Sequence, residues 1–202
     1  MKYIGKTIIA LLVLVVFYSG YNYFELRKEI FQVYEVEDKY AIPNDQADLI
    51  IVDFNKYSCY LCRELHPILM EAIKQDGKVR YVPRSVTHGF IWNETLASAI
   101  YAAAEQNKFI ELHNLIYKKW PVENHETLFR YAKAIGIDTK KLSRDMSRPE
   151  IIERAREDQS YFYAWKLRKT PTLLIGKNLI YIPSEKMPTI EELLQKFAEA
   201  RK

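Results

Sequence analysis

Two cysteines in 202 residues are too few for a disulfide framework, and both lie in one stretch, DFNKYSCYLCRELHP, residues 53–67. A bridge between Cys59 and Cys62 would close almost no loop, whereas loop closure is what lets a disulfide constrain the unfolded chain. Stapling is thus a poor use for the pair. The chain also lacks the second Cys or His pair at short spacing that usually completes a tetrahedral zinc site. His66, His88, His113 and His125 are scattered, so a Cys2His2 site would need two of them to converge by folding. No excess charge of one sign is present either: 30 Lys and Arg face 26 Asp and Glu, mixed along the chain. Segments such as RKEI and DTKKLSR alternate sign and read as solvated helix faces. That pattern offers no nucleic-acid footprint. With 6 Gly, 8 Pro and 49% hydrophobic residues, and neither repeats nor low-complexity segments, the composition is that of an ordered globular chain. Redox chemistry is the use that the two thiols fit best.

Charge is missing altogether from Thr7 to Phe24, TIIALLVLVVFYSGYNYF, a stretch at the lower limit for crossing a bilayer. Lys2 and Lys6 precede it and Glu25 follows. A positive leading flank stays cytoplasmic, so the rest of the chain is expected outside. Tyr18, Tyr21, Tyr23 and Phe24 suit an interfacial aromatic belt at the outer end. A cleaved secretory signal is the competing reading. Signal peptidase needs small residues at two alternate positions, and before Ser19 and Gly20 those positions hold Phe17 and Tyr18. The expectation is therefore an uncleaved anchor over residues 1–24, then a stalk over 25–47 with Leu26, Ile30 and Val33 at helical spacing. The protein would be single-pass in a bacterial cytoplasmic membrane, its domain facing the periplasm or cell exterior.

Compact structure is expected from Asp48. LIIVDF, residues 49–54, is a continuous apolar run rich in branched residues, as in a strand buried on both faces. A helical pattern through Leu61, Leu65, Ile68, Leu69, Ala72 and Ile73 follows, ending near Gly77, and KVRYVPRSV supplies a second strand. From residue 92 to 168 the pattern is helical only, punctuated by Gly136 and Pro149. TPTLLIG and NLIYI then read as a hairpin turning at Gly176-Lys177-Asn178, and Ile190–Ala200 as a closing amphipathic helix. The order is strand, helix, strand, a helical block, hairpin and helix: a small sheet over 48–91 and 169–202 with an insert over 92–168.

Within this scheme Cys59 stands where a strand ends and a helix begins. The unpaired N–H groups and positive dipole end of a helix N-terminus favour a thiolate. Cys62, one turn further in, is placed to resolve a mixed disulfide and is expected to be more buried. Asp53, in an apolar strand, is a candidate base because desolvation raises a carboxyl pKa; an aspartate that reaches water or caps a backbone N–H fits the spacing as well. Pro67 removes a donor from the helix and either kinks or ends it.

VDF ahead of Cys59-Tyr60-Leu61-Cys62, Pro67, the helices with AAAEQNKFIELHNLIY and YAKAIGID, and KTPTLLIG, in this order, resemble the thioredoxin superfamily. The helical insert makes the chain similar to the exported, DsbA-like thiol–disulfide oxidoreductases, from about Asp48 to Gln195. The resemblance implies an α/β thioredoxin-like fold with an inserted all-helical domain, here preceded by an N-terminal transmembrane helix. It implies that Cys59 is the nucleophile, Cys62 resolves, Asp53 is the buried acid, and Pro171 is cis beside the cysteines. Tyr60, Leu61, Thr170 and Pro171 would then contact substrate, the Thr170 backbone pairing with an extended peptide. No cofactor beyond a redox-active Cys59–Cys62 disulfide and no metal would be needed. Partners would be exported client proteins with cysteines, a membrane redox partner that resets the pair, and the membrane itself through residues 7–24.

Two departures leave the direction of electron flow open. Strongly oxidising members carry Pro-His between the cysteines, where this chain has Tyr60-Leu61, and Thr170 is more typical of isomerase and reductase members. An intermediate poise is expected. A redox-inert chaperone or binding module, and metal delivery by the two thiolates, remain alternatives. His66, one turn beyond Cys62, is the histidine that merits testing. His88, His113 and His125 read as surface or satisfied core residues, and Trp92, Trp120 and Trp165 as packing.

Overall fold

The computed structural model describes residues 12–22, 30–89, 91–183 and 186–202. It divides into two units, residues 1–35 and 36–202. In the first, residues 12–22 are helical. Among the described residues no helix is long and apolar enough to cross a membrane. Residues 7–11 and 23–24 of the expected span lie outside the described residues, as does 25–29 of the expected stalk.

In the second unit a four-stranded sheet has the order β2-β1-β3-β4. Strand β1 (Leu49–Asn55) pairs parallel with β2 (Val79–Ser85) and antiparallel with β3 (Thr172–Ile175). β3 turns through Gly176 into β4 (Leu179–Tyr181), which pairs antiparallel with it. Glycine suits that turn: φ is +60°, and a Cβ would lie 3.2 Å from Leu49 Cδ1 and 3.3 Å from the Ala200 carbonyl. The parallel β1–β2 pair requires a crossover, supplied by α1 (Tyr60–Asp76). This helix runs through Pro67 rather than ending there and stops at Gly77, whose φ of +73° suits a left-handed cap.

Side chains alternate faces along a strand, which sorts β1. Leu49 and Ile51 pack with Leu65, Leu69, Ala72 and Ile73 of α1 and with Leu193 and Phe197 of the C-terminal helix, Ile190–Ala200. That helix opens with a capping box, Thr189 Oγ1 accepting the Glu192 N–H while Glu192 returns a bond to the Thr189 N–H. Asp53 continues the α1-facing series, and Phe54 points the other way, edge-on to Phe162. Each buried Leu, Ile or Phe among them contributes about 1.5–3 kcal/mol.

The insert consists of α2 (Ile91–Ala104), α3 (Phe109–Lys118), α4 (His125–Ala134), α5 (Thr139–Asp145) and α6 (Pro149–Ala164), so the Ile190–Ala200 helix is α7. Asn124 and Asp138 cap α4 and α5 with their side chains, and Pro149 starts α6. The insert has its own core, and Tyr57 and Cys62 belong to it. The dithiol therefore lies where sheet and insert meet. One feature without a sequence signature joins them: Arg84 of β2 pairs with Asp158 of α6 at 3.1 Å, both side chains fully buried. Asp158 Oδ2 also accepts the Ser85 N–H at 2.7 Å and the Tyr101 hydroxyl at 2.5 Å.

Candidate active site

Cys59 is the N-cap of α1, with extended backbone at φ −90° and ψ 117°. Its Sγ accepts the Cys62 N–H at 3.2 Å and lies 3.5 Å from the Thr170 carbonyl oxygen. The Thr170–Pro171 peptide is cis, and Pro171 is buried beside half-buried Thr170. Strand pairing explains this meeting across 111 residues. Phe54, at the end of β1, stands opposite Thr172 of β3, so the chain entering β3 passes the start of α1.

Both cysteines are thiols, and their environments differ. Cys59 is half-buried and Cys62 is buried at 3% exposure. The Cys59 pKa is lowered to about 6, first by the Cys62 thiol and then, against the cost of burial, by the Cys62 and Leu61 N–H groups. Cys62 is pushed well up, first by burial and then by the Cys59 thiolate that holds its proton. A helix terminus and a protonated neighbour thus supply what a cationic side chain would otherwise supply. Tyr60 is exposed and Leu61 half-buried on the same turn.

Asp53 is 4% exposed, and its pKa is raised to about 7, chiefly by burial, with the Tyr81 hydroxyl opposing. Tyr81 donates to Oδ2 at 2.8 Å, while Oδ1 has no hydrogen-bond partner among the described residues. No backbone N–H of the described residues reaches this carboxyl. It is an acceptor in the electrostatic field of both cysteines.

The histidines separate clearly. His88 and His125 are exposed. His66 is buried, stacked on Tyr117 and bonded through Nε2 to Asn114 at 2.9 Å; burial lowers its pKa to about 4. It is neutral and lends the dithiol no positive charge. His113 is fully buried between Tyr57 and Tyr81. Sequence reasoning passed over this contact, although His113 sits beside Leu112, Ile116 and Tyr117 on the buried face of α3. Trp120 donates to the Tyr57 carbonyl at 3.0 Å, under the Arg63 guanidinium. The Trp120–Pro121 bond is also cis, which nothing in the sequence announced. Among the described residues no cluster of three or more His, Cys, Asp or Glu could hold a metal.

A dithiol at a helix N-terminus, with a buried carboxylate behind it and a cis-proline loop beside it on a four-stranded sheet, defines a thioredoxin-fold dithiol protein. The thioredoxin family model matches residues 35–196, and the chain belongs to that family. Its fold is similar to those of DsbA- and ScsC-type proteins. A thioredoxin-like oxidoreductase from Silicibacter pomeroyi has a TM-score of 0.72 at 22% identity, covering 83% of this chain and 98% of that one. The catalytic domain of Proteus mirabilis ScsC has a TM-score of 0.72 at 16% identity, covering 88% and 97%. The thiol–disulfide exchange protein alpha-DsbA2 of Wolbachia pipientis has 0.70 at 19%, covering 87% and 97%. In sequence, a Na(+)/H(+) antiporter NhaA of Salinispora tropica is 24% identical over 158 residues, and one of Herminiimonas arsenicoxydans 26% over 137, covering 77% and 67% of this chain. The matches span only 24% and 22% of those antiporters.

Proposed function

We propose that the protein is a thiol–disulfide oxidoreductase for exported proteins, with Cys59 as the attacking thiolate, Cys62 as the resolving thiol and Asp53 as the proton acceptor. The observation that carries this reading is the asymmetry of the pair: an accessible, stabilised Cys59 at the helix start, and a buried Cys62 that keeps its proton. To oxidise a client, a client thiolate attacks Cys59 Sγ of the disulfide form. The Cys59–Cys62 bond breaks, and Cys62 leaves as a thiolate that takes the proton held on Asp53. A second client thiolate then attacks the client sulfur of the mixed disulfide and expels Cys59 as a thiolate. The client loses two electrons and the dithiol gains them. Run backwards, Cys59 attacks a client disulfide and Cys62, its proton passed to Asp53, releases the reduced client. The Thr170 backbone beside Cys59 would hold the client as an added strand, with Tyr60, Leu61 and Pro171 flanking it.

We assign an intermediate poise, suited to isomerisation or broad exchange. A Cys59 pKa of about 6 lies between the roughly 3.5 of the strongest oxidant and the about 8.5 of a free thiol. Residues 7–24 are proposed as a membrane anchor that keeps the domain outside, on the strength of their charge pattern; similarity to a stretch of membrane antiporters supports work at a membrane. A membrane redox partner would reset the pair.

The test is the alkylation rate of the reduced protein against pH, joined to a redox titration with glutathione. Buried Cys62 is shielded, so the profile reads Cys59, with an expected midpoint near 6. In Cys62→Ala the midpoint should rise, because the substitution removes the largest stabiliser of the thiolate. The potential should fall between about −120 and −270 mV. Reactivity undiminished at pH 4, with a potential at the oxidising end, would replace this assignment by a dedicated oxidase. The reduced state owes part of its stability to this thiolate. That part is complete above the free-thiol pKa of about 8.5 and is lost as pH falls through 6.

A further inference from the structure

Behind Asp53 a line of hydrogen bonds crosses from the sheet into the insert. The Tyr81 hydroxyl, which donates to Asp53 Oδ2 at 2.8 Å, is also 3.2 Å from His113 Nε2. His113 Nδ1 is 2.8 Å from the Tyr57 hydroxyl, to which Ser85 Oγ donates at 3.2 Å. Asp53, Tyr81, His113 and Tyr57 are all at most 4% exposed, and the Tyr81 and Tyr57 hydroxyls and both ring nitrogens of His113 find their partners inside this line.

Proton counting gives the line a direction. An ionised carboxylate only accepts, and a phenol has a single proton. Tyr81 spends its proton on Asp53, so the Tyr81 oxygen is an acceptor and His113 Nε2 must carry the hydrogen. Burial holds His113 neutral, its pKa well below the ordinary imidazole value. Its Nδ1 is then bare and takes the Tyr57 proton, and the Tyr57 oxygen takes that of Ser85. With the opposite tautomer, a bare Nε2 would compete with Asp53 for the Tyr81 proton.

We propose that His113 is a positioning residue for the proton step: as the neutral Nε2–H tautomer it directs the one proton of Tyr81 onto Asp53 and so sets the pH at which Asp53 exchanges a proton with Cys62. The assignment rests on the reading of Asp53 as the proton acceptor of the dithiol. The titratable groups around Asp53 are Cys59 and Cys62 at the start of α1, Tyr57 in the preceding loop, Tyr81 of β2, and Tyr117 of α3. His66 of α1 meets His113 edge-on at 4.9 Å. None of these is a cation at neutral pH, so the Tyr81 hydrogen bond is the main force holding Asp53 ionised against burial. Weakening it raises the Asp53 pKa and leaves less carboxylate at pH 7 to receive the Cys62 proton.

The experiment is NMR on the reduced full chain, with the Asp53 carboxyl followed by carbon-13 against pH, assigned with Asp53→Asn, and the His113 ring nitrogens read directly. The expected spectrum has Nε2 protonated and Nδ1 bare. The Asp53 midpoint, near 7 in the wild type, should rise by about one pH unit in Tyr81→Phe, which loses the bond itself. In His113→Phe it should rise by about a few tenths, since only the polarisation of Tyr81 is lost. Adding His113→Phe to Tyr81→Phe should move it no further, because His113 acts through Tyr81. His113→Gln, which offers an N–H and a carbonyl to the same neighbours, should lie closer to the wild type. An Nδ1–H tautomer, an unmoved midpoint in folded His113→Phe, or an undiminished His113 effect in the Tyr81→Phe background would each overturn the proposal. If His113→Phe does not fold, the wild-type tautomer, Tyr81→Phe and His113→Gln decide. Since the titration requires no disulfide exchange, failure of the chain to exchange thiols would sink the proposed activity and leave this result to stand or fall separately.

Discussion

Cys62→Ala should convert the protein into a trap: client proteins would stay joined to Cys59 as mixed disulfides that survive denaturing electrophoresis without reductant, while Cys59→Ala would retain almost none. The difference arises because Cys62 stands one helical turn from Cys59, with its N–H on the Cys59 sulfur, so release of the client is intramolecular. The best-oriented intramolecular reactions reach effective molarities of about 10⁵–10⁸ M; even about 1 M would outrun a small-molecule thiol at about 1 mM by roughly 10³-fold. Without Cys62, release depends on that slower thiol. The substitution also raises the Cys59 pKa, so trapping is best done above neutral pH, where the thiolate still forms. Equal yields from the two variants, quantified after acid quenching and alkylation, would mean that attacking and resolving roles are not divided as assigned.

Asp158→Ala should cost about 3–5 kcal/mol of stability, the usual penalty for breaking a buried ion pair from one side. At zero exposure, the change withdraws the carboxylate opposite Arg84, the acceptor of the Ser85 N–H and the partner of the Tyr101 hydroxyl together. For a domain of this size about 1 kcal/mol moves the melting temperature by roughly 2–4 °C, so a fall on the order of 6–20 °C is expected in thermal denaturation followed by circular dichroism. Arg84→Met combined with Asp158→Leu should cost less than the sum of the single changes, since no buried charge is then left opposite an apolar wall. A single-variant loss under about 1 kcal/mol would show that water enters and solvates Arg84. The pair matters for function because Ser85, at the end of the polar line behind Asp53, hangs from Asp158 by its backbone. Loosening it would loosen the seat of Tyr57 as well.

Short-range chemistry explains what was legible in advance. β1 is a run of branched and apolar residues, Gly77 and Gly176 end their elements through positive φ, and the helical spacing of apolar residues marks α7. Patterns of this kind reside in a few consecutive residues, so reading them requires no knowledge of what lies opposite. The same holds for Cys59 as the cap of α1, since the donors that favour its thiolate belong to the next turn of the same helix. For Asp53 the sequence supplied an apolar strand around a carboxyl and left open whether it met water, a backbone donor or nothing. β1 and β2 in register bring Tyr81 to it, and that choice depends on residues 28 positions apart.

By itself, the sequence determined the order of strands and helices, the site of the dithiol at a strand–helix junction and the family to which the chain belongs, because period, caps, turns and motif spacing are local properties. Only the tertiary structure decided that the Thr170 carbonyl lies against Cys59, that Arg84 and Asp158 share a buried pair, and that His113, one of four scattered histidines, connects to Asp53 through Tyr81. Those contacts join residues from 28 to 111 positions apart. Their energies come from desolvation and hydrogen-bond geometry, which exist only once the insert has closed over the sheet and excluded water.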